Sequence, residues 1–218
     1  MTLSRSAVQE LYTRAIDQYR AFSAAFLAPQ GIQAVLRCSH LLRPGLRVLD
    51  AGCGYGVATF AFLEVLQRKN LDYKSIDAFD LTPAMLSRFQ QALDARRITG
   101  VQLRHADVLA LETLPPSWTD YDLILSTSML EYLPKHDLPR ALQALRARLA
   151  RDGHLLVVIT KKSLETKILI EWLWHAQRYT RDELHRAFQA AGFKDLTYRR
   201  FPWRFFWLNR ANYVVEAR

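Results

Sequence analysis

The sequence predicts an α/β fold: a doubly wound, seven-stranded sheet with one antiparallel strand, preceded by a helical extension. Three observations carry this. Short apolar runs at 46–50, 75–79, 101–105, 121–126 and 154–160 alternate with segments whose apolar residues recur at helical spacing. Alternation of that kind builds a parallel sheet, because each returning helix lets the next strand run in the same direction. Two last runs, near 195–201 and 211–217, are joined by a short segment that reads as having no helix, and so as an antiparallel hairpin. With 218 residues, half of them hydrophobic, the chain is long enough for one such domain.

Each element has a local reason. Val8, Leu11, Tyr12, Ala15, Ile16, Tyr19, Phe22 and Phe26 recur at three- and four-residue steps, predicting an amphipathic helix ahead of the first strand. Pro29 and Gly31 are expected to break it, and a second helix with Ile32, Val35 and Leu36 runs to the turn at Pro44-Gly45. Thr82-Pro83 starts a helix with a capping residue and a proline at the first helical position. Leu138, Leu142, Leu145 and Leu149 share one helical face that is expected to stop at Asp152-Gly153. Thr180 and Glu183 form a capping box for a helix ending at Gly192.

The formal charge is +9. Residues 1–109 hold thirteen Lys/Arg against nine Asp/Glu, and residues 110–218 hold seventeen against twelve. An excess spread this evenly reads as solvated surface charge rather than a nucleic-acid-binding tail. Cys38 and Cys53 cannot build a disulfide framework, and free thiols fit a reducing compartment. The chain shows neither a signal peptide's apolar core nor a run long enough to span a bilayer, so a cytoplasmic location is expected.

The functional signal is the loop after the first strand, Asp50-Ala-Gly52-Cys-Gly54-Tyr-Gly56. A dinucleotide fingerprint needs G-x-G-x-x-G, but the third position is Val57 counting from Gly52 and Thr59 counting from Gly54. No Gly-Lys-Ser/Thr follows, so the triphosphate-binding loop fails too. Asp80 ends the second strand in "IDAFDLTPAML", where a carboxylate can accept hydrogen bonds from both hydroxyls of a ribose. Asp77 is the rival acid, but it sits inside the strand. Asp107 follows the third strand in "RHADVLAL", and Ser126 ends the fourth in "YDLILSTSMLEYLP".

Three alternate glycines with an acid two residues earlier, followed by these elements in order over roughly residues 46–160, resemble the class I S-adenosylmethionine-dependent methyltransferases of small molecules. The resemblance implies a Rossmann-like sheet and S-adenosylmethionine as cofactor, leaving S-adenosylhomocysteine as product. It implies that Gly52, Gly54 and Gly56 let the backbone approach the cofactor while Asp50 meets its ammonium end. Asp80 with Leu81 would take the ribose, Asp107 and Val108 the adenine, and Ser126 would line the methyl-donor pocket. A single domain over 1–218 follows: helices at 1–44 covering the site, a cofactor-binding core at 45–160, and a cap helix with the hairpin at 161–218.

Methyl transfer is an in-line displacement on an already activated donor, so alignment matters more than a catalytic group. A base is needed only for a protonated acceptor, and the sequence requires none; Glu131, Tyr132 and His175 are the candidates near the pocket mouth. Tyr12, Tyr19, Trp172 and His175 are the candidates for touching the acceptor. The stretch 161–179 is nearly apolar all round between Ile168 and Trp174, which favours a hydrophobic acceptor. Residues 199–210 mix four arginines with Trp203, Phe205, Phe206 and Trp207. Exposed, those rings suit a peripheral membrane or dimer contact; buried, they pack against the sheet. No metal or nucleic acid is expected. RNA methylation is the rival enzyme reading, although Ser-Thr-Ser-Met replaces the Asn/Asp-Pro-Pro-aromatic loop expected for base amines. Aminopropyl transfer would need an acidic pocket, and a methyltransferase-like scaffold without turnover is the non-enzymatic alternative.

Overall fold

A computed structural model describes residues 27–163 and 176–218, together with Gln18, Ala21, Ala24 and Thr166. Tyr12, Tyr19, Trp172 and His175 lie outside the described residues, as do most of the first predicted helix and of the 161–179 stretch.

Seven strands form one sheet: β1 (Leu46–Ala51), β2 (Tyr73–Asp80), β3 (Val101–His105), β4 (Tyr121–Thr127), β5 (Leu149–Thr160), β6 (Leu196–Arg199) and β7 (Asn212–Ala217). Their spatial order is β3-β2-β1-β4-β5-β7-β6. The pairs from β3 through β5 are parallel, and β7 runs antiparallel to both β5 and β6. The predicted sheet with its single reversed strand is therefore present. Strand order turns back between β1 and β4, and in such sheets ligands bind outside the carboxyl ends at that point.

Helices cover both faces. On one, α1 (Ala28–Arg37) and α2 (Val57–Lys69) pack Val35, Phe62 and Leu66 against Val48, Leu125 and Leu156. On the other, α4 (Leu138–Arg146) and α5 (Arg181–Ala190) pack Leu142, Leu145 and Phe188 against Leu49, Ile124 and Val157. Neighbouring strand residues thus face opposite layers, which is why these strands read as unbroken apolar runs. α3 (Pro83–Ala95) buries Phe89 and Leu93 beside Ala78. The α5 capping box is formed: Glu183 N–H donates to Thr180 Oγ1, and Thr180 N–H donates to Glu183 Oε2.

Three expectations are corrected. Gly31 does not break a helix but lies inside α1, which starts at Ala28 and carries Pro29 in its first turn. A Cβ there would come 2.3 Å from Leu208 Cδ1, so glycine permits a close approach by the C-terminal connection. Leu149 continues the helical leucine spacing but belongs to β5, opposite Tyr121, because the chain turns at Ala147-Arg148 and Tyr121 N–H donates to the Arg148 carbonyl. Gly153 lies in mid-strand, where a Cβ would come 2.4 Å from the Tyr121 carbonyl oxygen. Finally, the β6–β7 connection is not a plain loop. It contains a 3-10 turn at Trp203–Phe205 and the single-turn helix α6 (Leu208–Ala211).

Candidate active site

The carboxyl ends of β1 to β5 are joined by a chain of contacts. Gly52 and Cys53 N–H both donate to the Phe79 carbonyl, tying the glycine loop to β2. Ala106 N–H donates to the Asp80 carbonyl, tying β2 to the loop after β3. Met129, from the turn after β4, lies against Gly52, and Ser128 N–H donates to the Val158 carbonyl of β5.

The three glycines of the loop serve three different ends. A Cβ on Gly52 would come 2.1 Å from Met129 Cγ, and one on Gly56 2.3 Å from the Phe89 ring. Only Gly54 faces open space, with nothing within 4 Å of that point. The loop therefore clears room for two side chains as well as leaving one open stretch of backbone.

Asp80 borders that opening. Gly54 N–H donates to its Oδ2 and Thr82 N–H to its Oδ1, both at 2.8 Å. The Thr82 side chain adds a further hydrogen bond, which leaves the carboxylate part of its acceptor capacity. The residue retains some exposure while its carboxyl lies deep, and burial raises its pKa against the lowering effect of the two backbone donors. Asp77, the rival acid, is committed elsewhere: Tyr121 Oη donates to it at 2.7 Å and the Arg47 guanidinium stands 3.9 Å away.

Asp50 is wholly buried. Its Oδ2 accepts from Thr59 N (3.1 Å) and Thr59 Oγ1 (2.6 Å) at the start of α2. Its Oδ1 has no hydrogen-bond partner among the described residues. Burial pushes the carboxyl up to about 6, partly offset by the Thr59 bonds. An unsatisfied buried acceptor is costly, and a cationic donor reaching it would both satisfy it and favour its ionised form. Ser126 Oγ is also buried without a partner among the described residues, but Asp50 pairs with Leu125, so Ser126 points to the opposite face. The structure does not bring these two groups together.

Beyond β3, Leu109 N–H donates to Asp107 Oδ1, Val108 is buried, and His105 Nε2 lies 2.9 Å from the Leu81 carbonyl. Tyr132 and Tyr55 pack on Met85, joining the segments after β4 and β1 to the first turn of α3. Glu131 is only 3% exposed and is held by Thr160, whose Oγ1 donates to Oε1 at 2.8 Å and whose N–H donates to Oε2 at 3.1 Å. Its burial raises the pKa to about 7. Sequence reasoning missed this link and the Met129–Gly52 contact, since each pairs residues that no local pattern connects. Among the described residues, no group of three or more His, Cys, Asp or Glu is placed to hold a metal.

A family model described as a methyltransferase domain matches residues 19–198. The chain belongs to that methyltransferase family. Its curated relatives include the malonyl-[acyl-carrier protein] O-methyltransferase of Paenibacillus sp., 32% identical over 52% of this chain and 38% of that protein. They also include a carboxy-S-adenosyl-L-methionine synthase of Dichelobacter nodosus, 25% identical over 69% of this chain and 54% of that one. The chain thus spans about half or less of the curated relatives it matches. Among solved structures, magnesium protoporphyrin IX methyltransferase from Synechocystis PCC 6803, with bound SAH, has a TM-score of 0.68 at 17% identity over 98% of both chains. Mitomycin 7-O-methyltransferase has a TM-score of 0.73 at 16% identity over 96% of this chain and 60% of its own. At such identities the likeness carries the methyltransferase fold, and it agrees with the strand order observed here.

Proposed function

We propose that this chain binds S-adenosylmethionine at the β1–β4 crevice and transfers its methyl group to a small, predominantly apolar acceptor. The observation that carries the reading is Asp80, fixed by Gly54 and Thr82 N–H beside the one open glycine of this loop. A carboxylate so held is fixed in place to accept from a ribose hydroxyl at the opening. Asp50 Oδ1 suits an ammonium or a water bound to one, which is the second requirement of an aminoacyl nucleoside. Bound there, the cofactor supplies a methyl already activated on a sulfonium. The chain's own part is to hold the ribose through Asp80, place the amino-acid end near Asp50, and exclude water with the Tyr55–Met85–Tyr132 cluster. Asp107 and Val108 are assigned to the adenine, and 161–218 to covering the acceptor.

Titration calorimetry with S-adenosylmethionine on the wild type and Asp80→Ala tests this. Losing charge-assisted bonds to the ribose is expected to weaken binding by roughly ten- to a hundred-fold. No binding by the wild type overturns the cofactor assignment. Binding without transfer to any acceptor in a screen of apolar alcohols, amines and carboxylic acids favours a cofactor-binding scaffold instead.

A further inference from the structure

We infer that the β6–β7 connection is a docking surface for an anionic phospholipid bilayer, set on the same rim of the sheet as the candidate active site. Three large apolar side chains stand exposed among the described residues: Leu27, Trp203 (82%) and Phe206 (60%). Trp203 and Phe206 share the β6–β7 connection, which packs on α1 one turn after Leu27. Phe201 and Leu208 of the connection press on Gly31 of α1, and Gly31 N–H donates to the Leu27 carbonyl one turn earlier. Elsewhere the described surface keeps its large apolar residues covered, so this corner is not the ordinary scatter of single exposed hydrophobes.

The corner is folded and held by its own contacts. Asn209 closes the connection by accepting from Phe201 N–H and donating to the Phe201 carbonyl, both at 2.9 Å. The rings of Phe205 and Phe206 meet Trp207 edge-on at 5.8 and 5.6 Å. Phe201 and Leu208 are buried beneath, anchoring the turn to the α1–α2 layer. Trp203 and Phe206 are therefore presented outward by a folded support.

Charge selects the occupant. Residues 196–215 contain four arginines and no acidic residue. Arg199 pairs with Glu216 at 3.0 Å, whereas Arg200, Arg204 and Arg210 are exposed around the two protruding rings. Tryptophan and phenylalanine among arginines match the boundary between anionic headgroups and acyl chains, and the net charge of +9 favours approach to such a surface. Two projecting rings fall short of the surface, about 800 Å² on each partner, that a stable protein interface buries.

Topology places this corner usefully. β7 starts at Asn212, opposite Thr160 at the carboxyl end of β5, so the connection leaves the sheet at the rim that carries Gly54 and Asp80. Three strand spacings separate the β1–β4 crevice from the β7–β6 pair, about 14 Å along the sheet. On the methyltransferase reading, which the bilayer contact itself does not require, the bound surface would bring membrane-dissolved acceptors to the site.

The test is co-sedimentation with vesicles of phosphatidylcholine alone and of equal parts phosphatidylcholine and phosphatidylglycerol. The wild type is expected to pellet with the anionic vesicles only, and less as salt is raised. Trp203→Ala with Phe206→Ala should weaken binding by roughly tenfold or more, and Arg204→Glu by roughly fivefold. Unchanged melting temperature and unchanged S-adenosylmethionine affinity in these variants would separate the surface from the cofactor reading. The inference is overturned if the wild type stays in the supernatant, or if the aromatic variant pellets equally well. It is also overturned if Trp203 instead governs self-association in sedimentation velocity, or retention of RNA on a filter.

Discussion

Asp50, near the end of β1, and Gly56, at the start of α2, are six residues apart, and the sequence makes both look like ligand contacts. The structure separates them. Gly56 faces the Phe89 ring at a φ of 94°, so Gly56→Ala meets a core aromatic and a strained backbone together. It should cost about 2–4 kcal/mol in urea unfolding. Such a requirement is invisible in sequence because α2 and β2 separate Gly56 from Phe89, which lies inside α3. Asp50 is the opposite case. Its carboxyl is raised to about 6 because burial opposes ionisation, so the fold alone works against its charge at neutral pH. Asp50→Asn keeps an acceptor for Thr59 and removes that opposition, so the variant should be at least as stable as the wild type at pH 8 yet bind S-adenosylmethionine more weakly. For the wild type, cofactor affinity should rise from pH 5 to pH 7.5 as Asp50 ionises, and the Asn variant should flatten that rise in calorimetry. A pH-independent wild-type affinity would remove Asp50 from the ammonium site.

Among the elements, those formed by local chemistry were legible and those fixed by a distant partner were not. The apolar runs gave all seven strands, and Thr180 with Glu183 gave the start of α5, because patterning and capping act within a few residues. Leu149 misled because its spacing suits the face of α4, while its place was decided by pairing with Tyr121 across the sheet. The β6–β7 connection misled because α6 is a single turn, stabilised by Leu208 and Phe201 packing on Gly31 rather than by its own propensity. The short 3-10 turn at Leu130–Tyr132 belongs to the same class. It is clamped to the end of β5 by Glu131 and Thr160. Both carboxylate oxygens bond Thr160 and the side chain is buried, so Glu131 clasps the turn after β4 to β5. Glu131→Ala should leave Thr160 N–H and Oγ1 without partners and cost about 2–3 kcal/mol, whereas a removed base would leave stability unchanged. Unfolding in urea beside single-turnover kinetics distinguishes the two.

Across the whole molecule, several titrations combine into a stability profile with a definite sign. Asp50, Asp77, Asp80 and Glu131 all have folded pKa values raised by burial. A raised folded pKa means that the native state holds the proton more tightly, so these groups stabilise the fold at low pH and lose that contribution as pH rises through about 6 for Asp50 and about 7 for Glu131. His154 has the other sign. Burial lowers its pKa against the attraction of Glu216, with Arg218 and His40 helping to lower it and Asp152 opposing, so its contribution is present at high pH and is lost on acidification. The deep carboxyls outweigh it because Asp50 and Glu131 are fully enclosed, whereas the histidine sits nearer solvent, where the effect of charge is screened. Between pH 8 and pH 5.5, Asp50 and Glu131 together should add on the order of 3 kcal/mol of stability to the cofactor-free protein. Its melting temperature should therefore be higher at pH 5.5 than at pH 8, the reverse of the usual acid-labile pattern. Combining Asp50→Asn with Glu131→Gln should remove most of the rise and leave the fall due to His154. Saturating S-adenosylmethionine should compress the Asp50 and Asp80 parts and leave that of Glu131, because an ammonium beside one carboxylate and hydroxyls on the other favour their ionised forms. A wild-type melting temperature that falls steadily from pH 8 to pH 5.5 would show that neither carboxyl carries the proton, and with it the coupling between cofactor charge and fold stability would be lost.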